Sequence, residues 1–268
     1  MTVPTKEESD AITAFALSVT VPIFRETHDG AELLASGTLF EVAGLKFVIT
    51  ARHIFDVVSD PKKLAYAESR SKGDMHTFGN FQIGKPTEKH FDVAVMELQS
   101  NETISKLKAG WRFLSLENVS VPSSSASDGS ILLAGYPCAR TQKSDRWLRG
   151  SFLAVYTQRF LKPPSEAEEP INPGLDLFFD YAREATSITG TPVATPELEG
   201  CSGASVWEYR RSSSPIWTAE SAVRVVAVQS AYVHSKYFRA INWLAVAKVL
   251  EMIDPKIATE IASYLKSC

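Results

Sequence analysis

Short alternating runs of apolar residues, separated by polar turns, fill most of the chain after its first seventeen residues. Runs rich in β-branched and aromatic residues predict strands, and many short ones favour a barrel or sandwich over strand–helix–strand units. The predicted strands cover 18–24, 33–42, 45–51, 91–98, 130–136, 151–157, 175–181, 204–209 and 223–233. The pattern therefore indicates an all-β core.

Helical patterns are confined to the two ends of the chain. Thr5 and Glu8 have the spacing of a capping box, which predicts a short N-terminal helix. Residues 241–253 have helical spacing of apolar positions, and Asp254-Pro255 supplies an N-cap and a first-turn proline for a second helix over 255–266. We expect both C-terminal helices to pack on the β core.

The middle of the chain contains a candidate linker. Residues 119–129 are rich in serine and proline, which is typical of a connection between two folded units. We therefore predict an N-terminal β-barrel over 1–118, which includes the short helix, and a C-terminal β-barrel over 130–240. A helical segment over 241–268 completes the division. The 268 residues are 44% hydrophobic, which is enough for cores of this size.

Charge and composition narrow the function classes. Charged residues make up 22% of the chain, its net charge is −3, and no long run of one sign occurs. This balance predicts no nucleic-acid partner and no membrane-surface partner. Acidic residues near the N-terminus do not fit a secretory signal, and no apolar stretch is long enough to cross a bilayer. The three cysteines lie far apart and form no metal-ligand spacing, so we predict no metal and no cofactor.

Three polar residues, each beside a predicted strand, have the chemistry of a nucleophilic triad. His53 follows the run 45–51, Asp92 lies at the start of the apolar run 91–98, and Ser202 is flanked by Cys201 and Gly203 just before another strand. A serine hydroxyl needs an adjacent base to take its proton, and that base needs a third group to orient it. We predict Ser202 as nucleophile, His53 as base and Asp92 as the group that orients His53.

The glycines around Ser202 predict a second part of this site. Glycine allows the backbone to turn sharply and to bring N–H groups toward a negative charge that develops on a carbonyl oxygen. The backbone amides of Gly200 and Ser202 are therefore the predicted oxyanion hole.

Three segments of the chain resemble those of trypsin-like (chymotrypsin-fold) serine peptidases. They are TARHIF around His53, FDVAVMEL around Asp92 and GCSGASV around Ser202, and their order along the chain is the order of that family. GYP at 135–137 also resembles a strand end of bacterial glutamyl-endopeptidase-like members. The resemblance implies two six-stranded antiparallel β-barrels, an active site between them, and a distant bacterial-type serine endopeptidase that acts on peptides or proteins.

The residues that would contact substrate depart from the trypsin pattern. By the same resemblance, Glu197 and Glu199 precede the nucleophile, and the strand that pairs with an extended substrate contains Ser230, Ala231 and Tyr232. Tyr232 stands where the family has glycine, which predicts a narrowed pocket. Secreted members of the fold commonly have several disulfides, whereas this chain has three scattered cysteines, so we expect a cytoplasmic protein.

Three alternatives to a constitutive serine peptidase stay open from the sequence. Cys201 stands where activated zymogens of the family have an aspartate, and it could itself act as the nucleophile. Without that aspartate, the loop of Ser202 could depend on a protein activator to become ordered. A pseudo-peptidase that uses the same cleft to bind a peptide or protein is the non-enzymatic alternative.

Overall fold

The computed structural model describes residues 4–28, 30–71, 73–123, 130–144, 147–186, 191–210 and 216–267. Much of the predicted linker, residues 124–129, lies outside these ranges, as does Cys268. Within them, no helix is both long and apolar enough to cross a membrane.

The helices lie at the two ends of the chain and in connections between strands. They are α1 (Lys6–Val19), α2 (Ile54–Val57), α3 (Asn101–Gly110), α4 (Ala219–Ala222), α5 (Trp243–Glu251) and α6 (Pro255–Ser267). The predicted capping box is present, because Thr5 Oγ1 accepts from Glu8 N and Glu8 Oε2 accepts from Thr5 N. Asp254 Oδ1 accepts from Lys256 N at the start of α6. The N-terminal helix and both C-terminal helices are thus confirmed.

The first half of the chain forms a curled antiparallel sheet of seven strands. They are β1 (Thr20–Thr27), β2 (Gly30–Val42), β3 (Leu45–Thr50), β4 (Leu64–Ala67), β5 (Met75–Thr77), β6 (Phe81–Gly84) and β7 (Ala94–Leu98). Their order across the sheet is β5-β4-β1-β2-β3-β7-β6. The β2–β3 hairpin turns at Ala43 and Gly44, whose φ angles are 52° and 80°. Positive φ at both turn residues matches the twist of the flanking strands.

The second half forms another curled antiparallel sheet, of six strands, with two small hairpins beside it. The strands are β8 (Ile131–Gly135), β9 (Thr141–Ser144), β10 (Trp147–Gly150), β11 (Leu153–Thr157), β12 (Asp176–Asp180), β13 (Glu184–Thr186), β14 (Pro192–Ala194), β15 (Ser205–Tyr209), β16 (Val223–Val233) and β17 (Tyr237–Asn242). The six-stranded sheet has the order β11-β8-β15-β16-β17-β12, while β9–β10 and β13–β14 pair separately.

The first sheet corrects the prediction of two six-stranded units. It has seven strands because the segment between β3 and β7 adds β4, β5 and β6, which are four, three and four residues long. Strands this short carry little alternating pattern, so the sequence did not reveal them. The mostly β architecture and the C-terminal helices are confirmed.

A shared core joins the two sheets and the terminal helices. Trp207 of β15 is fully buried and packs edge-on against Phe15 of α1, with ring centroids 5.7 Å apart. Trp243 of α5 packs against Phe40 of β2, also at 5.7 Å. Buried residues of both sheets and of α1, α5 and α6 form one hydrophobic cluster, so the two sheets pack against each other. The candidate site depends on this packing.

Candidate active site

Strand pairing brings His53 and Asp92 to the same end of the first sheet. β3 and β7 are antiparallel neighbours, and Thr50, at the end of β3, lies opposite Ala94, at the start of β7. Residues just after β3 and just before β7 are therefore close in space. His53 is the residue just before α2 and makes no side-chain capping bond to it. Its side chain is 44% exposed, whereas that of Asp92 is 15% exposed.

Asp92 binds His53 through both carboxylate oxygens. Asp92 Oδ2 lies 2.6 Å from His53 Nδ1, and Asp92 Oδ1 accepts from the His53 backbone N–H at 2.8 Å. The bond from the backbone N–H fixes the carboxylate, and the bond to the imidazole ring favours the tautomer with the proton on Nδ1. In the neutral imidazole, Nε2 is then the proton acceptor.

The environment of His53 raises its pKa. Burial by itself lowers the pKa, but the hydrogen bond and the charge of Asp92, together with the charge of Asp56, raise it above the ordinary value of 6.5. A raised pKa means that the fold stabilises protonated His53 relative to the unfolded chain. This contribution to stability is fully present below pH 6.5 and is lost as the pH rises through the raised pKa.

Replacing Asp56 by asparagine is expected to lower the pKa of His53. The substitution removes a negative charge near the imidazole and leaves Arg52 and Lys85, which Asp56 contacts at 2.8 and 3.7 Å, without their carboxylate partner. An NMR titration of the His53 ring proton measures the shift. The control is Asp10→Asn, which removes an exposed carboxylate on α1 and is expected to leave the titration unchanged. An equal or higher pKa in Asp56→Asn contradicts this electrostatic assignment.

A tight glycine contact places the backbone of Ser202 near the end of β3. A Cβ added to Gly203 would lie 2.3 Å from Ser36 O and 2.8 Å from Ala51 N, so only glycine fits there. The φ of Gly203, +86°, also favours glycine. The Ser202 carbonyl accepts from Ser36 N at 2.9 Å. Because Ala51 is two residues before His53, the loop of Ser202 lies beside the His53–Asp92 pair.

The side chains of Ser202 and His53 do not complete a triad by hydrogen bonding. Ser202 is half-buried, and among the described residues its hydroxyl makes no hydrogen bond, to His53 Nε2 or to any other group. The structure thus joins His53 to Asp92 and brings the Ser202 loop next to them without the third contact. Such hydrogen bonds are often long in unliganded sites and tighten when substrate binds.

The two predicted oxyanion donors are unpaired. Glu199 O accepts from Cys138 N at 2.6 Å, and Cys201 O accepts from Ala204 N at 2.7 Å. In a trans peptide the N–H points away from the preceding carbonyl, so Gly200 N–H and Ser202 N–H point away from these partners. Neither amide donates a hydrogen bond anywhere in the described ranges. Unpaired amides are uncommon in folded protein, and two in one loop can bind an anionic oxygen.

Cys201 lies in the interior beside this loop. The residue is fully buried, and its sulfur would lie 3.5 Å from a Cβ added to Gly135 at the end of β8. Burial, and to a smaller extent the nearby Cys138, raise the pKa of the Cys201 thiol far above its usual range. The thiolate is the reactive form of cysteine, so this environment is unfavourable for a nucleophile.

The predicted substrate-binding strand has an unpaired edge. β16 pairs with β15 only as far as Val228, which lies opposite Ser205, and the loop residues Gly203 and Ala204 bond to Gln229. Beyond that point, the described strands pair with β16 only on the side of β17. Ser230 is buried and donates to Arg239 O at 3.3 Å, while Ala231 is exposed. The open edge can accept another extended chain.

The other predicted substrate contacts lie at one end of this edge. Glu197 and Glu199 are exposed, and Tyr232 is half-buried. Burial raises the pKa of Tyr232, the charges of Glu197 and Glu199 raise it further, and a hydrogen bond with the Glu199 backbone acts in the opposite direction. The Tyr232 hydroxyl, at the end of β16, therefore contacts the backbone of the segment that leads to Ser202.

Ser36 is a residue of this site that the sequence did not indicate. It lies in β2, is fully buried, and hydrogen-bonds to Gly200, Ser202 and Tyr136. A serine among small residues of a strand has no local feature that distinguishes it, so no sequence signal was present.

No protein-family model matches the chain, and no curated protein sequence matches it either. Among solved structures, one match is a chain from the work titled "Aromatic interactions drive the coupled folding and binding of the intrinsically disordered Sesbania mosaic virus VPg protein". The two chains are 17% identical, the match covers 85% of this chain and 87% of the other, and the TM-score is 0.47. At these values the likeness carries no argument about fold or function.

Proposed function

We propose that this protein is a serine endopeptidase with His53, Asp92 and Ser202 as its catalytic triad. The observation that carries the proposal is the His53–Asp92 pair, joined at 2.6 Å, beside a loop in which Ser202 precedes a glycine that touches the end of β3. The unpaired amides of Gly200 and Ser202 add the electrostatic element that acyl transfer requires.

In the proposed reaction, Ser202 Oγ forms a bond to the carbonyl carbon of the scissile peptide and gives its proton to His53 Nε2. The carbonyl π electrons move to the oxygen, and Gly200 N–H and Ser202 N–H stabilise the resulting charge. Asp92 stabilises the imidazolium. Collapse of the intermediate breaks the C–N bond, and His53 gives its proton to the leaving amine. Water then repeats the sequence on the acyl-enzyme and regenerates Ser202.

The proposed fold is the trypsin-like double barrel, of which the two curled sheets are the halves. His53 and Asp92 then belong to the first barrel and Ser202 to the second, and the cleft between them binds an extended peptide at the open edge of β16. Glu197, Glu199 and Tyr232 contact the substrate in this proposal. The partner class is therefore a peptide or protein substrate.

We also propose a cytoplasmic location. Cys138 and Cys201 are free thiols, whereas secreted proteins of this kind commonly depend on disulfides. Reduced cysteines fit a reducing compartment.

One observation favours a second candidate, an activator-dependent peptidase. The Ser202 hydroxyl makes no hydrogen bond to His53 among the described residues, so a partner that shifts the loop could complete the triad. In that case the isolated chain is only weakly reactive, and the partner increases its reactivity.

A fluorophosphonate probe tests the proposal directly. The isolated wild-type protein is expected to react with the probe, and mass spectrometry of the digested adduct is expected to find the phosphonyl group on Ser202. The matched control is Cys201→Ala, which removes the neighbouring buried thiol and is expected to keep the labelling. A labelled site other than Ser202, or loss of labelling in Cys201→Ala with the fold intact, contradicts the serine mechanism. A folded protein that never reacts, and that still binds peptides, favours the pseudo-peptidase.

A further inference from the structure

Ser36 connects the three segments that meet at the candidate active site. Its hydroxyl donates to Gly200 O at 3.0 Å and accepts from Tyr136 N, just after β8, at 2.9 Å. Its backbone N–H donates to Ser202 O at 2.9 Å, and its carbonyl accepts from Thr50 Oγ1 at 2.9 Å. One residue of the first sheet therefore binds both ends of the loop 200–202, which contains Ser202. It also binds the second sheet and the end of β3.

The hydroxyl of Ser36 acts on the part of the loop that has the most backbone freedom. Gly200 has φ +88°, and glycine has no Cβ to restrict its rotation. The Gly200 carbonyl belongs to the peptide that separates the two unpaired amides, those of Gly200 and Ser202. Ser36 holds this carbonyl, and Leu198 O accepts from the Cys201 N–H of the same peptide at 2.8 Å. The two bonds together fix the plane of the peptide that lies between the two N–H groups.

The burial of Ser36 makes rotation of the Gly200 carbonyl away from it unfavourable. Ser36 is fully buried, and a Cβ added to Gly135 would lie only 3.1 Å from its hydroxyl oxygen. Leaving a buried carbonyl without a hydrogen-bond partner destabilises the fold. Rotating Gly200 O away from Ser36 would break this bond and also the bond from Cys201 N–H to Leu198 O. The orientation of the amides that the structure contains is therefore strongly favoured over a flipped one.

We propose that Ser36 is a positioning residue that holds the oxyanion-binding amides of Gly200 and Ser202 in their active orientation. The inference rests on the proposed function. Ser36 contacts neither the scissile bond nor His53 in this role, and it acts only through the backbone of the loop.

Ser36→Ala is expected to lower kcat by about tenfold to a hundredfold and to leave KM nearly unchanged. The loss is smaller than the 10²–10³ that follows removal of one oxyanion donor, because the amides stay in the chain but lose their fixed direction. The pH at which activity rises is expected to stay the same, because the Asp92–His53 pair is untouched. A peptide boronic acid, which forms a tetrahedral adduct, is expected to bind the variant more weakly by the same factor as kcat.

Thr38→Val is the matched control. Thr38 lies two residues along β2, is buried, and its hydroxyl also crosses to the second sheet, where it hydrogen-bonds to Ser205. It does not bond to residues 200–202. Loss of this cross-sheet bond is expected to lower the thermal midpoint while kcat stays near the wild-type value. If both variants lose activity equally at similar stability, Ser36 has only a structural role and the proposal is wrong.

Two further measurements keep the outcome decisive. Ser36→Cys places a slightly larger and weaker donor at the position of the hydroxyl, so it replaces the alanine variant if that variant does not fold, with an intermediate kcat expected. Backbone amide NMR does not depend on activity: the Gly200 and Ser202 resonances are expected to shift or broaden in the variant while that of Val228 stays unchanged. Unchanged loop resonances overturn the role of Ser36. An inactive, unlabelled wild type with perturbed loop resonances in the variant overturns the proposed function instead.

Discussion

Ser202→Ala is expected to lower kcat for peptide hydrolysis by about 10⁶, which is the scale of losing the nucleophile in a triad of this kind. Without the hydroxyl, His53 has no proton to take and no acyl-enzyme can form. The fold is expected to stay intact, because the Ser202 hydroxyl hydrogen-bonds to no other described group and its carbonyl bond to Ser36 belongs to the backbone. The wild-type protein is first incubated with a diverse peptide library, and mass spectrometry identifies the peptides that it cuts. One of these peptides then serves as the substrate for the kinetic comparison.

The comparison for this variant is Ser205→Ala. Ser205 is buried three residues further along the same segment, and its hydroxyl bonds to Thr38 rather than to the site. Its loss is expected to reduce stability and to leave most of the activity. Should the Ser202 variant cut the library at the wild-type rate, with circular dichroism unchanged, Ser202 is not the nucleophile.

Asp92→Asn is expected to lower kcat by about 10⁴, because the wrong tautomer of His53 is then favoured. The asparagine amide can donate to Nδ1, which moves the ring proton to Nε2, where it blocks acceptance of the Ser202 proton. The loss of the carboxylate also removes the charge that raises the pKa of His53. The remaining activity is therefore expected to begin at a lower pH than in the wild type. Values of kcat and of kcat/KM measured between about pH 5 and pH 9 give both quantities.

The free energy of unfolding of Asp92→Asn is also expected to depend on pH. The carboxylate stabilises protonated His53, so its loss is expected to reduce the free energy of unfolding more at pH 5 than at pH 9. Denaturant unfolding at the two pH values measures the difference, with Asp10→Asn as the control for the loss of one negative charge. An Asp92→Asn variant with near wild-type kcat would show that His53 does not need this carboxylate.

Local patterns along the chain predicted most of its longer strands and its terminal helices correctly. The capping box at Thr5 and the N-cap at Asp254 identified helix starts, because each depends on side chains within three residues of the backbone they bind. The hairpin at Ala43-Gly44 was also visible, since turn chemistry is local. The short strands β4 to β6 escaped, because their existence depends on pairing with neighbours rather than on their own pattern. The sequence also missed β9, β10, β13, β14 and β17 and the helices α2 to α4.

The sequence alone identified which residue types carry the proposed chemistry, since His53, Asp92 and Ser202 each stand at the edge of a predicted strand. It could not determine how they meet. The pairing of Thr50 with Ala94 brings two of them together, and the approach of Gly203 to Ala51 brings the loop of the third. The role of Ser36 was decided only by the tertiary structure, because its hydroxyl binds a carbonyl 164 residues away. A contact of that range depends on how the two sheets pack, and no local pattern records it.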